Sequence, residues 1–196
     1  DVSDKMFKFR DTRETFVGGV PAILNRISFS GELGYEIYVA PQFHLKLFEE
    51  IELHGKDLSL KLYGARALMA LRLEKNWGVW TLDFRPDFTA AESGLDAFIN
   101  WNKDFIGKEA SLIEKKQGVK KKLVTMTIDT KDIDVTNDEA ILKDNKCVGY
   151  ITSGGYAHHV KKSMALGYVP IELSKHNTTL DVEINGKLYL AHVTDR

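Results

Sequence analysis

Thr179–Val193 reads TLDVEINGKLYLAHV. Alternating apolar and polar residues flank Asn185-Gly186, and Asn-Gly between two alternating runs is the strongest short hairpin signal, because both residues accept the left-handed backbone of a tight turn. Working outward, Lys122–Ile128 (KLVTMTI), Cys147–Thr152 (CVGYIT) and Met164–Val169 (MALGYV) are of the same kind. They are short, rich in β-branched and aromatic residues, and separated by turn signals. The C-terminal third therefore reads as an all-β sandwich or small barrel, with the boundary near residue 118.

Ahead of that boundary the chain mixes strands and helices, so the fold class is α+β. From Pro41 to His54, Phe43, Leu47, Phe48 and Ile51 recur at helical spacing and leave Lys46, Glu49, Glu50 and Glu52 mostly elsewhere. From Gly64 to Lys75, Ala65, Leu68 and Leu71 do the same among strong helix formers. Lys108–Lys116 is a third, shorter helix. FVGGV (Phe16–Val20) and AILNRISF (Ala22–Phe29) read as strands. In RISFSGELGYEIYV, Arg26–Val39, alternation runs to Phe29, breaks, and resumes at Tyr35; Gly31 and Gly34 in the break predict a tight turn that holds Glu32. No internal repeat or low-complexity tract is visible.

The 196 residues suffice for one sizeable core or two small domains, and 43% hydrophobic with 28% charged residues is the balance of a globular chain. A net charge of −1 gives no field that would draw nucleic acid or an anionic membrane. The lysines around Gly118 read as a solvated connection. Cys147 is the single cysteine, which fits a reducing compartment, and its place in a strand reads as a small core residue. No apolar run approaches the roughly 18 residues of a membrane helix, and no signal peptide is evident. Those features point to a cytoplasmic location, or the mitochondrial matrix in a eukaryote. The chain opens at Asp1 without methionine and reaches strand-like material at once, which suggests a fragment of something longer.

Candidate chemistry concentrates in Ala70–Ala110. Glu74 ends a helix and is followed by Trp77 and Trp80. A carboxylate beside tryptophans suits a flat, nitrogen-rich ring, accepting paired N–H bonds at the edge while an indole stacks on the face. From spacing alone the favoured reading is that Glu74 pairs with Arg72 or Arg66 while the tryptophans fill core. In TSGGYAHHVKKS, Thr152–Ser163, Gly154-Gly155 allows close backbone approach, whereas His158 and His159 as strand neighbours point to opposite faces and cannot share a metal. Neither phosphate-loop nor dinucleotide glycine patterns occur, and no nucleophile and base stand at a telling spacing, so no catalytic residue is assigned.

In order along the chain, RISFSGELGYEIYV, YGARALMALRLEKNWGVW, FTAAESGLDAFINWNKDFIGKEA and VGYITSGGYAHHVKKSMALGYVPIEL resemble the second half of the folate-binding aminomethyltransferase family. That family includes the glycine-cleavage T-protein and the tetrahydrofolate-binding parts of sarcosine and dimethylglycine dehydrogenases. GELGYE, RLEK and DFIGKEA resemble the dehydrogenase branch more closely.

The resemblance implies a partial α+β folate-binding domain over residues 1–118 and a β-barrel domain over 119–196. It implies tetrahydrofolate as cofactor, with Glu74, of the RLE motif, binding the pterin, and Trp77 and Trp80 as neighbours in the wall. A family arginine falls near Lys103, which keeps the charge and loses the planar fork. Phe29 stands where a T-protein has tyrosine in its GYTGEDG turn, which makes that turn a wall of the folate channel, with Glu32 structural. The family's catalytic aspartate precedes everything here, and its last folate-contacting tyrosine lies close to the C-terminus. Expected partners are folate, a one-carbon donor and the remaining N-terminal part of the same protein; nucleic acid and membrane are not expected. FAD would belong to an upstream domain in a dehydrogenase. The implied function is one-carbon transfer to tetrahydrofolate in a sarcosine or dimethylglycine dehydrogenase. Alternatives are a stand-alone aminomethyltransferase or demethylase, and, in another class, a non-catalytic folate-binding module. The fragment by itself is expected to be inactive.

Overall fold

A computed structural model describes residues 1–194. The chain forms two compact units, Asp1–Met69 and a second beginning at Ala70.

The first unit is a three-stranded antiparallel sheet with one main helix. β1 (Thr12–Val17), β2 (Val20–Asn25) and β3 (Glu36–Tyr38) lie in the order β1-β2-β3. In β2, Val20, Ala22 and Leu24 are buried while Pro21 and Ile23 are exposed, the period-two pattern of a sheet covered on one face. The helix expected from Pro41 begins as a 3-10 turn over Pro41–Phe43, where the proline suits a first turn, and continues as α1 (His44–Gly55), which buries Leu47.

The Arg26–Val39 stretch differs from the expected tight hairpin. The β1–β2 ladder ends at the Thr12↔Asn25 pair and the β2–β3 ladder at Asn25↔Glu36, so residues 26–35 form an open connection between β2 and β3. Gly31 takes φ 91° there. At Gly34 a side chain would meet the Ile27 carbonyl at 2.9 Å, so close approach explains that glycine. Glu32 is exposed.

α2 (Ala65–Glu74) runs through the boundary between the units, and α3 (Lys108–Gln117) follows as foreseen. Beyond it, β4 (Lys121–Ile128), β5 (Ala140–Lys143), β6 (Lys146–Ala157), β7 (Lys162–Pro170), β8 (Thr179–Ile184) and β9 (Lys187–Thr194) close into an antiparallel barrel of order β4-β7-β6-β5-β8-β9. The β8–β9 turn is the Asn185-Gly186 pair, with φ 50° and 75°. Val124, Met126 and Ile128 of β4 join Ile141, Val182 and Val193 in the barrel's core. The alternate β4 position Leu123 belongs with Leu73, Phe84, Leu166 and Tyr168 to a second cluster, and Trp77, Phe88 and Leu95 pack against it. That second cluster secures the end of α2 and the following loop.

Cys147 corrects one expectation: its side chain is exposed. β6 pairs with β7 only from Tyr150 onward, so Cys147 stands at the β5–β6 hairpin end, opposite Leu142 and short of the core.

Candidate functional site

Two residues near the end of α2 have opposite fates. Arg72 is turned inward: its Nη1 donates to Asp83 Oδ2 at 2.8 Å, with side-chain exposures of 1% and 0%. The same guanidinium nitrogen reaches the Trp77 carbonyl at 3.2 Å, and Asp83 Oδ2 also accepts the Val79 N–H at 2.8 Å. The other carboxylate oxygen of Asp83 accepts from the Thr152 and Ser153 hydroxyls. Consecutive strand residues ordinarily face opposite ways. Here the ladder slips between Ile151 and Ser153, a bulge that lets both hydroxyls reach one oxygen. Burial pulls the Arg72 guanidinium below its ordinary value, and the charge of Asp83 pushes back. Tyr168 completes the support by donating to the Asp83 carbonyl at 2.9 Å, and burial holds its phenol proton until about pH 12.

Glu74, two residues on, pairs with neither Arg72 nor Arg66. Its Oε1 accepts the main-chain N–H of His159 at 2.8 Å, and its Oε2 lies 2.5 Å from His159 Nδ1. The Glu74 side chain is 13% exposed and the His159 side chain 70%. His159 sits in the four-residue turn between β6 and β7, closed by the Lys161 N–H to Ala157 carbonyl bond at 2.7 Å. A carboxylate only accepts, so Nδ1 carries the proton in this contact. His158 and His159, expected as strand neighbours, both lie in this turn instead, and His159 is a carboxylate's partner. Among the described residues no group of three or more His, Cys, Asp or Glu could hold a metal ion.

The tryptophans form an aromatic row with Phe84 between them. Trp77 meets Phe84 edge-on at 5.8 Å, and Trp80 meets it at 5.7 Å. Trp77 also meets Phe98 at 6.0 Å and is half-buried, whereas Trp80 is 74% exposed. Lys103 is exposed, on a turn closed by its own N–H to the Asn100 carbonyl. Phe29 is half-buried in the first unit. The structure thus places Glu74, Trp77 and Trp80 on one short stretch braced by the Arg72–Asp83 pair. A cavity of about 820 Å³ in the second unit is lined by other residues, among them Thr89, Trp101, Glu114, Lys122 and His176.

Residues 1–103 match the GCVT N-terminal domain, and residues 121–196 match the glycine cleavage T-protein C-terminal barrel domain. The chain belongs to the glycine cleavage T-protein family. Human mitochondrial dimethylglycine dehydrogenase is 39% identical over 193 residues, covering 97% of this chain and 22% of that protein. An aminomethyltransferase of Desulfitobacterium hafniense is 35% identical over 178 residues, covering 90% of this chain and 48% of the relative. The crystal structure of the glycine cleavage system aminomethyltransferase T from Bartonella henselae superposes with a TM-score of 0.82 at 24% identity, over 89% of this chain and 48% of that one, a likeness of fold. The chain therefore spans about half of its aminomethyltransferase relatives and about a fifth of the dehydrogenase. A mixed helix and strand region followed by a closed six-stranded barrel is the architecture shared with this family.

Proposed function

We propose that this chain is the C-terminal part of a tetrahydrofolate-dependent one-carbon transfer protein of the dimethylglycine or sarcosine dehydrogenase type, yielding methylenetetrahydrofolate. The observation that carries the reading is Glu74: a carboxylate 13% exposed, at the end of α2, not spent on either neighbouring arginine. Its two oxygens suit the paired N–H donors on the edge of a pterin, and charge-assisted bonds of that kind are the strong ones. Relatives bearing both the dehydrogenase and the aminomethyltransferase names support the family chemistry.

Tetrahydrofolate supplies the nucleophilic amines that take up the one-carbon unit. The chain's residues bind and orient. Glu74 fixes the pterin's edge, and the exposed face of Trp80 is a wall on which a flat ring can rest. Trp77 backs that wall through Phe84. Lys103 offers a positive charge where the family carries arginine, and Phe29 is assigned to the channel wall on resemblance alone. None of these residues is given a proton-transfer role. Held amines beside an electrophilic carbon, with water excluded, supply rate through orientation. The domain division at residue 118, an upstream flavin domain and a mitochondrial matrix location belong to the same proposal; the dehydrogenase relatives' names carry the word mitochondrial.

The test is calorimetric titration of the intact protein with tetrahydrofolate. Glu74→Ala weakens binding roughly 10- to 100-fold, the worth of hydrogen bonds to a charged group, in a protein that remains folded. Unchanged affinity refutes the assignment.

A further inference from the structure

His159 presents two N–H donors to Glu74, one on each oxygen: the main-chain N–H on Oε1 at 2.8 Å and Nδ1 on Oε2 at 2.5 Å. A pterin's edge offers the same pattern, two roughly parallel N–H donors, one for each oxygen. One carboxylate cannot receive two such forks along the same edge. The two donors of His159 differ in how they can leave. The main-chain N–H is fixed in the β6–β7 turn, locked between the Ala157↔Lys162 pair and the Lys161 to Ala157 bond. The ring is 70% exposed and turns about its own side-chain torsions without moving the backbone.

Resting on the reading of Glu74 as the pterin's acceptor, we propose that the His159 imidazole is a gate on that carboxylate. It occupies Oε2 in the free protein and swings out when the ligand's edge arrives, while the main-chain N–H stays on one lone pair of Oε1; Oε2 and the second lone pair of Oε1 then take the ligand's two donors. Binding then exchanges one N–H donor for another at Oε2, so the ring's bond is subtracted from the ligand's affinity. In the ligand's absence Oε2 is already engaged by the ring, which keeps the carboxylate from pairing with stray cations.

The sign of one mutation separates a gate from a brace. With tetrahydrofolate under anaerobic conditions and the intact protein, His159→Ala tightens binding roughly two- to tenfold, the net worth of one ordinary hydrogen bond. His159→Phe, which keeps a ring of similar size without the donor, does the same. In the wild type, the His159 ring resonances move on saturation with tetrahydrofolate to those of a ring free in water, a change that a bracing role does not produce. Binding that is unchanged or weaker in both variants, while Glu74→Ala still weakens it, overturns the gate and leaves the Glu74 assignment standing. Unchanged binding in Glu74→Ala overturns both.

Discussion

Arg72 and Asp83 meet at 2.8 Å with side-chain exposures of 1% and 0%, and that pair decides where Glu74 stands. Arg72 is tied through Asp83 to Thr152 and Ser153 of β6, while Glu74 is tied to His159 at the far end of the same strand's turn. The end of α2 is therefore held against β6 and its turn at two points, one buried and one at the surface.

Removing one member of the buried pair leaves a charge with no water and no partner. Asp83→Ala is expected to cost about 3–5 kcal/mol of stability, read from urea unfolding of the intact protein. Combining Arg72→Met with Asp83→Leu costs less than either single change, because the pair's desolvation penalty disappears with the charges. A double variant less stable than Asp83→Ala would show that geometry at this pair matters more than charge burial.

Tyr168 gives a pH signature at the alkaline end. Burial raises its phenol from 10.0 to about 12, so the folded chain keeps this proton longer than the unfolded chain does. Its contribution is whole below about pH 10 and is lost as pH rises through about 12. The shift is on the order of 2–3 kcal/mol. Tyr168→Phe is less stable near neutrality, having lost the bonds to Ser93 and the Asp83 carbonyl, and its gap to wild type narrows across that window. A gap that stays constant with pH contradicts the assignment of the shift to this phenol.

The paired glycines of β6 have unequal roles. A side chain at Gly154 would lie 2.6 Å from the Val135 carbonyl and 2.7 Å from its side chain, whereas one at Gly155 would meet Leu73 at an ordinary 3.6 Å. Gly154→Ala is expected to cost about 1–3 kcal/mol through overpacking. Gly155→Ala stays within about 1 kcal/mol of wild type. Equal costs in thermal unfolding would mean that the close approach at Val135 relaxes freely.

The all-β character of the C-terminal third was legible because strand alternation and the Asn185-Gly186 turn are local signals; they left sandwich and barrel both open, and the barrel followed from the family resemblance. The closure order was not legible, since it depends on pairs such as Thr125↔Thr194 that no neighbouring residues announce. Over Arg26–Phe29 the apolar alternation of the sequence does not become alternate burial, since all four residues are half-buried, and β3 supplies partners only for Ile23, Leu24 and Asn25. Around the site, Glu74 and the tryptophans stood out by type and spacing. Asp83, Thr152 and Ser153 did not stand out as a network, because their meeting depends on a bulge that carries no residue signature. His159 was visible only as half of a histidine pair, 85 residues from the carboxylate it engages.

Trp77 and Trp80 separate wall from core. Trp77 packs half-buried between Phe84 and Phe98 and against the Leu73 cluster, so Trp77→Ala loses roughly 2–4 kcal/mol of stability. Trp80 is 74% exposed and touches Phe84 only edge-on at 5.7 Å, so Trp80→Ala changes stability by about 0.5 kcal/mol or less. An exposed indole that contributes so little to folding is free to serve a ligand. Stacking on such a face is worth roughly 0.5–1.5 kcal/mol beyond area burial. Trp80→Ala should therefore weaken tetrahydrofolate binding about two- to tenfold in the same titration that tests Glu74. If affinity survives the loss of Trp80 and falls only with Glu74, the pterin's face rests elsewhere and the indole is surface alone.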